Sequence, residues 1–201
     1  MTTYDPQAPL PRAEVKPGSH LADPAPLGLA GFALTTMVLS FVNTGLFDAK
    51  DVGVVLGLAL AYGGLVQLCA GMWEFARGNT FGAVAFSSYG GFWISFWWLE
   101  THAQGIDGSG VGLYLICWAV FTGYMMIAAT RVSGAILVVF VTLTITYILL
   151  AIGAFAGSES LDKIGGWVGV VCALSAWYAS FAGVTAFTHK KALVPTVPLE
   201  R

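Results

Sequence analysis

The sequence predicts an all-α, polytopic membrane protein with six transmembrane helices. Six stretches lack Asp, Glu, Lys, Arg and His, and each runs for 19–26 residues. A bilayer core takes about 20 apolar residues per helix. Only 10% of the 201 residues are charged and 57% are hydrophobic, whereas soluble domains carry about 25% charged residues. The connections are short, which leaves no room for a soluble catalytic domain.

The first span, 27–47, is preceded by Asp23-Pro24-Ala25-Pro26. Asp23 can cap the free N–H groups of a starting helix, Pro24 suits its first position, and Pro26 still lies in the first turn. Phe32, Thr36, Ser40 and Asn43 run along one side of this span, with Thr35 beside them. In the second span, 52–73, an α-helical period puts Gly53, Gly57, Gly64, Gln67 and Gly71 on one narrow stripe. A primary amide such as that of Gln67 needs a partner inside a bilayer. The third span, 81–99, ends in Phe92, Trp93, Phe96, Trp97 and Trp98, which reads as an aromatic belt at the outer interface.

The fourth span is 111–130. The fifth, 132–157, carries Ala135, Thr142, Thr146 and Gly153 on one face. In the sixth, 164–188, Gly165, Gly169, Cys172, Ala176, Ser180 and Gly183 share a stripe. Faces of small residues let helices approach closely in lipid. The same stripes can also line a narrow polar path.

An even number of spans puts both termini on one side. That side holds seven of the nine basic residues: Arg12, Lys16, Arg77, Arg131, Lys190, Lys191 and Arg201. Lys50 and Lys163 fall on the other. Basic loops stay in the cytoplasm, so a cell-membrane location with both termini cytoplasmic is expected. The domain plan is a tail over 1–22, a membrane domain over 23–188 and a second tail over 189–201.

Several classes are disfavoured. A net charge of −2 gives no basic face for nucleic acid. No span holds the His pairs of a haem bundle, a lysine for a retinal Schiff base, or a carboxylate for a buried proton relay. There is no phosphate-binding loop, nucleophile elbow or HExxH pattern. No enzyme, catalytic residue, cofactor or metal is expected. Cys69, Cys117 and Cys172 lie in apolar spans without metal-ligand spacing and read as small buried hydrophobes. Glu74 and Arg77, at the cytoplasmic end of the second span, read as a solvated interfacial pair, with a gate or proton-handling role as the alternative.

The stretch Asp23, Pro24, Ala25, Pro26, Leu27, Gly28 and Leu29 resembles the signature of the acetate uptake transporter family, Asn-Pro-x-Pro-x-Gly-Leu. Tyr62-Gly63-Gly64 with Gln67, Glu74 with Gly78-Asn79-Thr80-Phe81-Gly82, Phe86 with Ser88-Tyr89-Gly90, and Gly166-Trp167 with Gly169 are also similar to it. The likeness runs from Asp23 to about Phe187. It implies six-helix proteins assembled in the membrane lipid as homo-hexamers, each subunit with its own path. The cargo it implies is acetate and other small carboxylates, in some cases succinate, moved by proton symport or channel-like conduction. The resemblance maps an apolar constriction onto Phe32, Tyr89 and Leu143, polar positions facing the path onto Thr35 and Gln67, and a substrate-size position onto Ala176. Tyr89 can bring both a ring face and a hydroxyl donor. Asp23 stands where the family has Asn, and a charge there can slow anion entry or favour the protonated acid. A neutral-solute or water facilitator and a non-transporting membrane scaffold are the alternatives.

Overall fold

The computed structural model describes Gly18 and residues 20–199. The expected N-terminal tail lies mostly outside the described residues, as do Arg12, Lys16 and Arg201.

Six long helices form: α1 Ala25–Asn43, α2 Ala49–Arg77, α3 Thr80–His102, α4 Gly108–Ala129, α5 Gly134–Ala156 and α6 Glu159–His189. The protein is a multi-pass, all-helical membrane protein, and five of the helices are both long and apolar enough to cross a bilayer. The exception, α3, is long enough at 23 residues but is diluted by Gly82, Gly90 and Gly91 and by Ser87, Ser88 and Ser95. Its position accounts for this. It buries Gly82, Ala83, Ala85, Phe86, Tyr89, Gly90, Phe92 and Trp93 against its neighbours, so packing rather than lipid sets its composition.

The helix ends follow local chemistry. Asn79, Asp107 and Ser133 cap α3, α4 and α5 by accepting from the N–H groups of Gly82, Gly110 and Ile136. Gly78 and Gly157 close α2 and α5 in the left-handed conformation, at φ 74° and 60°. α1 starts one residue later than expected: Pro24 takes the cap position, and Asp23 Oδ1 accepts from Ala25 N at 3.1 Å.

α1 and α6 run antiparallel along the α6 stripe. Ser180 Oγ donates to Pro26 O at 2.7 Å where α1 begins. At the far end a Cβ on Gly166 would sit 2.6 Å from Thr44 N. Gly165, Gly169, Cys172, Ala176 and Ser180 are all buried, and Gly183 meets the Pro26 ring.

The α2 stripe does not hold. Gly64, Gln67 and Gly71 are buried, but Gly53 and Gly57 are exposed with nothing within 4 Å. The cause is a π-helical segment, Ala61–Val66. Its wider turns take more residues than α-helical ones, so residues before it point elsewhere than a uniform α period implies. Close approach fixes it there. A Cβ on Gly63 would sit 2.6 Å from Thr35 Oγ1 and 2.9 Å from Trp93 Cδ1, and one on Gly31 would sit 2.7 Å from Tyr62 O.

Two further expectations are corrected. Of the aromatic run ending α3, Phe92 and Trp93 are buried and only Trp98 is exposed, its ring stacked on His102. Five aromatics within seven residues wrap around a helix, so those on its inner face turn into the bundle rather than outward. Cys172 is buried, as expected, but Cys69 and Cys117 are exposed on the outer surface.

Beyond α6 the described chain turns back toward the start of α5. Gly134 N donates to Val197 O at 2.8 Å, Ala135 N to Thr196 O at 3.2 Å and Leu199 N to Val132 O at 3.3 Å. Tyr178 Oη donates to Pro195 O at 2.6 Å.

Candidate functional site: two cavities and a partition

Two cavities enter the bundle from opposite ends. The first, of about 590 Å³ including its mouth, lies on the side of the chain termini. The starts of α1, α3 and α5 and the last turns of α2 line it. The second, of about 2300 Å³ including its mouth, opens on the opposite side, among the ends of α1, α3 and α5 and the starts of α4 and α6. Phe32 and Leu143 line both. They form a buried apolar partition with Tyr89, whose ring centroid lies 5.7 Å from that of Phe32.

The Tyr89 hydroxyl does not serve the cavity. Thr122 Oγ1 donates its one proton to Trp118 O at 2.8 Å. Tyr89 Oη, 2.9 Å from Thr122 Oγ1, is therefore the donor in that pair. Tyr89 shows the path its ring, which also packs on Trp118, Phe121 and Phe140. The expected hydroxyl donor is thus already in use.

In the terminal-side cavity the polar groups come from α2. Gln67 follows directly on the π segment and is 1% exposed, and neither atom of its amide has a protein partner. The wide turn aims this side chain into the cavity. Glu74 follows two turns later and is 0% exposed. Its Oε2 accepts from Asn79 Nδ2 at 2.9 Å, while Oε1 has no partner. Gly82 makes the room, since a Cβ there would lie 2.7 Å from Glu74 Cδ.

The solvated Glu74–Arg77 pair does not form. Arg77 Nη1 instead contacts Asp23 Oδ1 at 2.7 Å, so the charge that departs from the usual Asn is balanced beside the mouth. Asp23 itself is absent from the cavity lining, as are Pro24, Pro26 and Gly28, although Leu29 contributes to it. Gly28 lies against Phe86, with a would-be Cβ 2.6 Å from the ring.

The other two expected binding positions sit outside both linings. Thr35 Oγ1 donates to Gly31 O at 2.9 Å and abuts Gly63. Ala176 is fully buried within the apolar core. Thr36, next to Thr35 in the chain, does line the far cavity, with an unpartnered Oγ1, as does Trp93 with an unpartnered Nε1. Glu100 and Asp162 bring carboxyls to that cavity. Among the described residues, no Lys, Arg or His lines either cavity. The position of Glu74 at a span end hid its burial from sequence reasoning. Its one available signal was the glycine eight residues later.

Comparison with known proteins places this architecture. The sequence profile described as the GPR1/FUN34/yaaH family matches residues 7–201. Acetate permease A of Emericella nidulans is 40% identical over 87% of the chain, which spans 65% of that protein's length. The succinate-acetate/proton symporter SatP of Escherichia coli is 38% identical over 88% of the chain and 96% of its own length. The solved structure of the bacterial acetate channel SatP superposes with a TM-score of 0.84 at 36% identity, covering 88% of this chain and 99% of the other.

Proposed function

The chain belongs to the GPR1/FUN34/yaaH family, and on that premise we propose that it moves acetate and related short monocarboxylates, with succinate at the edge of its range, across the cell membrane. The observation that carries this reading is the pair of cavities meeting at Phe32 and Leu143. Acetate has a charged end and a methyl end. An apolar partition excludes strongly hydrated ions, while amide and hydroxyl groups on either side replace water around the carboxyl. Gln67 and Thr36 supply such groups, one in each cavity.

Phe32, Tyr89 and Leu143 act as the constriction, Gln67 as the polar contact on the terminal side, and the Asp23–Leu29 segment as the frame of the mouth. Thr35 and Ala176 act indirectly, by setting how closely α1 meets α2 and α6. The excess of basic residues supports a cytoplasmic position for both termini. On the same reading the chain divides into a tail over 1–22, a membrane domain over 23–188 and a second tail over 189–201. The likeness to a solved channel supports an oligomer, taken here as a homo-hexamer with one path per subunit. Labelled acetate uptake into proteoliposomes tests the reading. Uptake above empty vesicles is expected. Its absence under both a pH gradient and a voltage contradicts the proposal, and glycerol or water flux without acetate flux replaces it with a neutral-solute facilitator.

A further inference from the structure

Glu74 is a wholly buried carboxyl beside a cavity, with one oxygen held by Asn79 and the other facing no partner. A bare carboxylate is costly in such a setting. The nearest cation, Arg77, is paired with Asp23. Among the described residues, Asp23 and Arg77 are the charges that reach Glu74. The walls that α3 and α5 turn toward this cavity carry one titratable group, Tyr89, whose hydroxyl donates to Thr122; Gly82, Phe86, Ile136 and Phe140 beside it carry none. Two helical turns deeper, the unpartnered amide of Gln67 faces the same space. An acid that enters therefore meets a hydrogen-bonding carboxyl, then an amide, then the apolar partition.

We propose that Glu74 is the proton-holding residue of this path: its Oε1 shares one proton with the substrate carboxyl, so that a monocarboxylate crosses the partition as the neutral acid. This rests on the carboxylate-transport reading above. In the outward direction the O–H bond on Glu74 breaks, one forms on the substrate, and Glu74 regains its proton from water at the mouth. In the inward direction the neutral acid returns its proton to Glu74, the anion leaves, and the proton follows into the same water. Each cycle moves one substrate and one proton, without net charge. The lining fits this: among the described residues it holds no Lys, Arg or His, and a fixed cation would hold the anion.

The test is labelled acetate uptake into proteoliposomes across a pH series, with the leak of empty vesicles subtracted. Wild-type uptake is expected to rise toward acid pH with a defined midpoint. Glu74→Gln keeps the shape and an acceptor for Asn79 but cannot carry the proton; at least a tenfold loss and a flat pH profile are expected. Asn79→Asp keeps the α3 cap but replaces the donor to Glu74 with a second acid, which favours the protonated carboxyl. Its midpoint is expected at higher pH than wild type. A wild-type pH profile in Glu74→Gln overturns the inference. If that variant does not fold, an unshifted midpoint in Asn79→Asp overturns it instead. A wild-type protein without acetate uptake sinks the transport reading, and this inference with it.

Discussion

At Tyr89 the hydroxyl is tied to Thr122, whose own proton goes to the Trp118 carbonyl. Tyr89→Phe should therefore leave acetate uptake within about twofold of wild type and cost about 1 kcal/mol of stability, the usual net worth of one buried hydrogen bond. Uptake and thermal unfolding in detergent measure the two effects. Tyr89→Ala removes the ring from the partition and should change which solutes pass. The residue scale is also where the sequence was least legible. Asp23 and Gln67 stand out because they interrupt apolar or proline-rich surroundings. That Arg77 chooses Asp23 over Glu74 depends on how α1 meets the end of α2, a contact between distant parts of the chain. Breaking that partly exposed pair with Asp23→Asn should change stability by no more than about 1 kcal/mol, read as a small shift in Tm.

Helix existence was legible because uncharged runs of bilayer length leave little alternative; the starts became sharp only in the structure, where Asn79, Asp107 and Ser133 cap them. The π segment of α2 was not. Gly63 and Gly64 permit close approach, but nothing local to them demands i→i+5 bonding; Gly63 packs against Thr35 and Trp93, which come from distant parts of the chain. Within the subunit, the stripe drawn through Gly53 and Gly57 breaks at this segment. The α6 stripe, in a helix without such a segment, held. Gly63→Ala should destabilise the protein by about 1–3 kcal/mol, as overpacking does, and should disturb acetate uptake by moving Gln67. Gly57→Ala, with no neighbour within 4 Å, should leave the subunit as stable or stabilise it by about 0.5–1 kcal/mol through helix propensity. Unfolding curves of the two variants side by side check both. Equal destabilisation would show that Gly57 is covered by another copy in the assembled protein.

For the whole molecule, the central feature is that two cavities from opposite faces stop at the same two side chains, Phe32 and Leu143. The resemblance brought both residues forward, whereas periodicity set only Phe32 on a stripe and left Leu143 unmarked. Only the assembled bundle puts them between two openings. The most direct measurement is the ratio of lactate to acetate uptake in proteoliposomes, for wild type and for Leu143→Ala, with folding verified by size-exclusion chromatography. Shortening this side chain widens the partition, so the ratio should rise several-fold while acetate uptake continues. A folded Leu143→Ala protein that moves acetate with an unchanged ratio would mean that the solute does not cross between Phe32 and Leu143.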